Sequence, residues 1–397
     1  MPMSVPSPKE KTTPWIIVSI IAIFLLVLVG VVFAKQASES TPYVYIKANP
    51  LPLPEVQSVE EATPVVVETL DRFDYASRML RLANNGLYRL LSTTTRESVA
   101  TSTGSTTMIV VPSVAAETLY STHNSTWPAE TTYPELGAIL PFKRIIAYYG
   151  NFYSTQMGAL GEYEKEDMKR RLLTEVANWE KADPSTPVIP AIDYIAVVAQ
   201  AEAGRDGLYR AQMPDSEIQK AVDIANELEG IVLLEVQVGL SDLQREIEAL
   251  ETWLKLPNVH LAIDPEFRMK NGQKPGTVIG TVDAVDVNVA IAYLDSLVAK
   301  HSLPPKIVIV HRFTQNMVTN ATLIKPTPTV QVVMVMDGWG PGANKFGTYN
   351  LVITPQPVQF AGFKVFYKND LKTPSTGLLT PEEILTLSPK PIFIQYQ

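Results

Sequence analysis

Several acids stand at the ends of strongly apolar runs, where a charged side chain needs a reason. Asp264 and Glu266 close VHLAIDPEF (259–267), Glu235 sits with Gln237 in IVLLEVQVG (231–239), and Asp193 lies in PVIPAIDYIA (187–196). Asp337 and Trp339 close VQVVMVMDGWG (330–340). A carboxylate is expensive to desolvate unless it is paired or faces a wet pocket. Acids crowded together push one another's pKa values apart, which yields one proton donor and one base. Glu266, Asp264, Glu235 and Asp193 are therefore the candidate catalytic residues. Side chains alternate along a strand, so Asp264 and Glu266 are expected to share one face of theirs.

The candidate substrate-binding residues come from the same run ends. They are Tyr148, Tyr149 and Asn151 in RIIAYYGNF (144–152), Tyr194, Gln237, His311 and Arg312 in KIVIVHRF (306–313), Asp337, Trp339, and Tyr396 near the carboxyl terminus. Aromatic rings could act as platforms for the apolar face of a sugar. The structural alternative is that Arg268, Arg312 and Lys368 neutralise the acids as ion pairs.

The elements that must position these residues repeat regularly. Strand-like runs cover 144–152, 187–196, 231–239, 259–267, 306–313, 330–340, 360–370 and 391–397. Helical patterns such as KEDMKRRLLTEVANWEKA and DSEIQKAVDIANELEG lie between them. Strands alternating with helices imply parallel pairing with right-handed crossovers. Eight such units over about 250 residues predict a (β/α)8 barrel of the TIM type, with its chemistry at the strands' carboxyl ends. An open doubly wound sheet would usually carry G-x-G-x-x-G after its first strand, and YYGNF does not.

Composition narrows the partners. The 397 residues hold 33 Lys+Arg against 41 Asp+Glu, a formal charge of -8. That sign disfavours phosphate backbones, so no nucleic-acid partner is expected. There is no Cys, which excludes disulfides and thiolate chemistry, and 4 His leave little scope for a multi-His metal site. No cofactor and no resident metal is expected.

The amino-terminal region reads as a tether. Trp15 to Ala34 is apolar and uncharged, and about 20 such residues span a bilayer. The expected organisation is a cytoplasmic tail (1–13), a transmembrane signal anchor (14–34), a Pro-punctuated linker (35–64), an amphipathic helix with a Ser/Thr-rich irregular segment (65–140), and the barrel (143–397). A cleaved signal peptide is the alternative, though its apolar core is usually shorter. Either way the barrel is expected outside the cytoplasm, and with an uncleaved anchor the chain is a single-pass membrane protein. Leu70, Phe73, Ala76, Leu80, Ala83 and Leu87 fall at helical spacing, and the helix is expected to end near Asn84-Asn85-Gly86. Its apolar face is expected to pack on the downstream domain or to self-associate. Residues 92–107 are expected to form a flexible loop. Nothing in the sequence sets an oligomeric state.

The motifs AYYGN, MGALGEY, PVIPAIDYIA, VHLAIDPEFR, PGTVIG, IVIVHRFT and VMDGWG resemble those of a poorly characterised family of bacterial secreted or membrane-tethered barrel proteins, over roughly residues 144–350. A weaker resemblance is to chitinase-type glycoside hydrolases. It implies that Glu266 is the proton donor, that Asp264 orients the substrate and that Asp337 contacts it. Where that family has further acids before D-x-E, this chain has Val259 and Ala262, and S-x-G-G is absent.

Three functions follow. The first is a glycoside hydrolase acting on a cell-envelope or extracellular polysaccharide. The second is a non-catalytic carbohydrate-binding or cell-envelope barrel. The third is a divalent-metal hydrolase with His311, Asp264, Glu266, Glu235 and Asp337 as ligands.

Overall fold

The computed structural model describes residues 70–84, 88–100, 106–118 and 126–397. The expected tail, anchor and linker lie outside the described residues. Among those described, no helix is long and apolar enough to cross a membrane.

Eight parallel strands close into a barrel. They are β1 (Arg144–Gly150), β2 (Val188–Ala199), β3 (Ile231–Val236), β4 (Val259–Ile263), β5 (Lys306–Arg312), β6 (Val330–Met336), β7 (Phe360–Val365) and β8 (Phe393–Tyr396). Each pairs with the next in sequence, and β8 returns to β1 with Phe393 opposite Ile145. Closure removes the exposed edges that an open sheet would have to protect. A short strand, Arg210–Gln212, runs antiparallel to the end of β2. The fold is the expected TIM-type α/β barrel.

Side-chain alternation divides the strands into two cores. Ile146, Tyr148, Ile192, Tyr194, Val232 and Leu234 pack with helix residues such as Leu172 and Trp179. Ile145, Ala147, Ile189, Ala191, Ile231, Leu233, Ile307 and Ile309 fill the interior. Those interior positions are aliphatic through the lower and middle layers, as a barrel packed without a pore requires.

β4 ends sooner than its apolar run predicts. Pro265 has no N–H to give a ladder, and residues Pro265–Phe267 turn as a 3-10 helix with the Asp264 carboxylate accepting from the Glu266 N–H at 2.9 Å. Strand alternation therefore does not relate Asp264 to Glu266; the turn does.

The helix Arg72–Ala83 begins at Asp71, whose carboxylate accepts from the N–H groups of Phe73 and Asp74, and it ends at left-handed Asn84. Its inner face is Tyr75, Met79, Leu80 and Ala83, while Phe73 is exposed. Tyr75 and Met79 join the barrel's interior cluster, so the helix packs on the downstream domain. Tyr88–Ala100 and Thr106–Thr118 pair as an antiparallel hairpin, with Tyr88 opposite Thr118. That overturns the loop expected at 92–107 over its strand residues. A run rich in β-branched Thr and Val takes extended backbone readily once a partner strand is present.

Candidate active site at the carboxyl-terminal mouth of the barrel

The apolar filling stops abruptly at the strands' carboxyl ends. There each strand or its first following residue turns a polar side chain inward: Tyr149, Asp193, Glu235, Asp264, His311, Asp337, Lys364 and Gln395, all buried. Gln237 joins them just beyond β3. One polar group per strand converges on the axis because the parallel strands end at similar heights.

These groups form a connected network. Glu235 accepts from the Tyr149 hydroxyl at 2.7 Å and from Gln237 at 3.0 Å. His311 lies between two acids, with Nε2 3.1 Å from Glu235 Oε2 and Nδ1 3.2 Å from Asp337 Oδ2. The second Asp337 oxygen meets Lys364 Nζ at 3.2 Å, and that ammonium also sits over the Tyr149 ring, 3.9 Å from its centre. Gln395 donates to Asp193 Oδ2 at 2.5 Å.

The electrostatics separate the acids. Burial works against charge on Asp337, but Lys364 and His311 overcome it and hold its carboxyl below the ordinary value. Burial pushes Asp264 well above the usual carboxylate range, and Glu235's charge adds to that. Glu266 is raised by burial and then by the charge of Asp337. Asp193 is pushed up to about 7 by burial and the nearby Glu235. His311 is raised to about 10, because its hydrogen bonds to Asp337 and Glu235 outweigh burial. Burial also lifts Tyr149 well above its ordinary value, with Glu235 reinforcing it. The mouth thus holds an ionised carboxylate, Asp337, beside three carboxyls that retain protons more tightly, which is the division general acid–base chemistry needs.

A cavity of about 580 Å³ opens over this network. Tyr149, Gln237, Asp264, Glu266, Asp337 and Lys364 give it polar walls, and Phe267, Phe313, Trp339 and Phe366 give it aromatic ones. Trp339 is 59% exposed at its rim. Asp193, Glu235 and His311 are fully buried and do not line it. They are the described group with ligand-type atoms close enough for one metal ion, all within 4.8 Å of one another.

The structure brings some expected residues together and sets others apart. Tyr149, Gln237, Asp264, Glu266, Asp337 and Trp339 meet at the cavity. Tyr148, Tyr194 and Tyr396 face outward into the helix layer. There Tyr148 bonds Tyr367 at 3.0 Å, and Tyr396 accepts from Trp179 at 2.8 Å. Asn151 donates to Tyr194 and to the Ile195 carbonyl. Arg312 points away from its neighbour His311 and donates to the carbonyls of Thr314 and Gln315.

The proposed neutralising cations are engaged elsewhere. Arg268 pairs with Asp286 at 2.9 Å and Lys368 with Glu162 at 2.7 Å. Lys364 is the lysine that reaches the mouth acids, beside His311, and sequence reasoning missed it. Its signal was present: in FAGFKVF it shares a face with Gly362 and Phe360. Asp370, beyond β7, instead accepts from the Gly340 and Phe366 N–H groups and pairs with Lys345.

Comparison with known proteins supplies no family: no family model and no curated protein matches the chain.

Proposed function

We propose that the barrel is a glycoside-hydrolase-like enzyme. The observation that carries this is a cavity whose walls combine proton-retaining Glu266 and Asp264, ionised Asp337 and exposed Trp339. Hydrolysis of a glycosidic bond uses one carboxyl to protonate the leaving oxygen and another carboxylate on the opposite side of the sugar. Glu266, half-buried at the cavity wall, is the proton donor. Asp337, kept charged by Lys364 and His311, faces the positive charge that develops at the anomeric carbon. Asp264, set by the same turn as Glu266, positions the substrate. Glu235 and Asp193 position the floor from below, since neither lines the cavity. The likeness of VHLAIDPEF and VMVMDGWG to chitinase-type sequences supports Glu266 as the proton donor, Asp264 as a substrate-orienting residue and Asp337 as a substrate contact.

The uncharged run Trp15–Ala34 supports a tether that places the barrel outside the cytoplasm. Cell-envelope or extracellular polysaccharide is then the substrate class within reach. The test is a screen of such glycans for newly released reducing ends. Binding without release would favour the non-catalytic carbohydrate-binding barrel, a reading that Val259 and Ala262 at the chitinase acid positions also support.

A further inference from the structure

At and beneath the cavity, the barrel axis holds more acidic than basic side chains. Asp193, Glu235, Asp264 and Asp337 are four buried carboxylates, and the cationic side chains among them are His311 and Lys364. Buried charge is tolerated when it is paired or coordinates a metal. At this level Asp193 Oδ1 has no hydrogen-bond partner, while Glu235 Oε2 and His311 Nε2 face each other at 3.1 Å. Their residues are fully buried, and their ligand-type atoms lie within 4.8 Å of one another.

We propose that Asp193, Glu235 and His311 form a binding site for one divalent transition-metal ion such as Zn²⁺ or Mn²⁺, buried in the barrel floor. The donor set, one imidazole and two carboxylates, suits such ions. Metal–ligand bonds of about 2.0–2.2 Å place neighbouring ligand atoms roughly 3.3 Å apart in a tetrahedral site. His311 Nε2 and Glu235 Oε2 already stand 3.1 Å apart. Asp193 is oriented by Gln395, which holds Oδ2 and leaves Oδ1 for the metal. The other ring nitrogen of His311 faces Asp337 at 3.2 Å. That is the carboxylate–histidine–metal arrangement in which an outer acid fixes the tautomer and orientation of a ligating imidazole. A ligating imidazole is neutral at the bound nitrogen, so metal binding here is expected to release a proton.

The proposal does not rest on the glycosidase reading, and its test does not use turnover. The full-length chain, kept in detergent, is stripped with EDTA, moved to chelator-free buffer and titrated calorimetrically with ZnCl₂ or MnCl₂ alone. One saturable metal per chain is expected. Asp193→Asn should weaken binding by about 100-fold or more, since it removes a ligand. Asp337→Asn, which removes only the outer partner of His311, should weaken it about 10- to 100-fold. Glu266→Gln should bind as the unsubstituted chain does. The absence of saturable binding, or equal affinity in Asp193→Asn, overturns the site. If Asp193→Asn does not fold, the unsubstituted chain loaded with Co²⁺ decides. One of its 4 histidines, His311, must show paramagnetically shifted ring signals, and none doing so overturns the proposal. A chain that binds metal but hydrolyses no glycan retains this site and loses the proposed function; the reverse result separates them the other way.

Discussion

His311 bridges Glu235 and Asp337, with one ring nitrogen 3.1 Å from the first and the other 3.2 Å from the second. Through this bridge a fully buried acid communicates with an acid on the cavity wall. It also explains why the mouth acids differ. Asp337 has His311 and Lys364 against it, whereas among the described residues neither Asp264 nor Glu266 has a cation within salt-bridge distance.

The first prediction concerns pH. A general acid works only while protonated, and burial holds Glu266 above the ordinary glutamate value of 4.5. Activity should therefore fall as pH rises through that raised pKa. In Glu266→Gln, a substrate with a good leaving group, which needs no protonation, should still turn over and should lack this alkaline limb. The kcat/KM–pH profiles of both chains check this; an unchanged limb in Glu266→Gln would assign it to another group.

Trp339 should matter for binding more than for chemistry. It is the exposed aromatic at the cavity rim, and an aromatic contact contributes about 1 kcal/mol. Trp339→Ala should raise the KM for a polymeric glycan several-fold and leave kcat nearly unchanged. A loss confined to kcat would place the ring at the reacting bond instead.

The helix at the barrel's amino-terminal end should be part of the cooperative fold. Met79 is 6% exposed and packs with the interior cluster, so Met79→Ala should cost about 2–5 kcal/mol. Phe73→Ala, on the solvent side, should stay within about 0.5 kcal/mol. Urea unfolding midpoints measure both, and equal costs would mean the helix does not brace the barrel.

His260 should make the fold acid-sensitive. It is fully buried, its Nδ1 accepts from the Ile307 N–H, and burial followed by the Lys306 charge holds its pKa well below 6.5. The unfolded chain takes up this proton first as pH falls, so stability is lost below about 6.5. For one proton the loss is at most about 1.36 kcal/mol per pH unit. His260→Gln should reduce the stability difference between pH 7 and pH 5. Identical differences would show that His260 is not the responsible group.

The barrel was legible in the sequence because parallel strands are buried on both faces and read as continuous apolar runs. Their polar ends, such as Asp193, Glu235 and Asp337, also marked the mouth. The same continuity hid which residue of each adjacent pair turns inward. Tyr148 and Tyr149, Asp193 and Tyr194, and His311 and Arg312 are all buried, and no exposed face exists to fix the register. Lys364 was obscured for a related reason: β7 stops at Val365, while its apolar run continues to Tyr367 and draws attention to Lys368. The hairpin was missed because pairing of Tyr88–Ala100 with Thr106–Thr118 is a relation between segments that neither shows alone.

The most direct test of the central claim compares the unsubstituted chain with Glu266→Gln on one glycan, measuring binding calorimetrically and reducing-end release over time. The account predicts that both bind, that release in Glu266→Gln falls by about 100-fold or more, and that circular dichroism shows the same fold. Release by Glu266→Gln at the unsubstituted rate, or binding by the unsubstituted chain with no release, would contradict it.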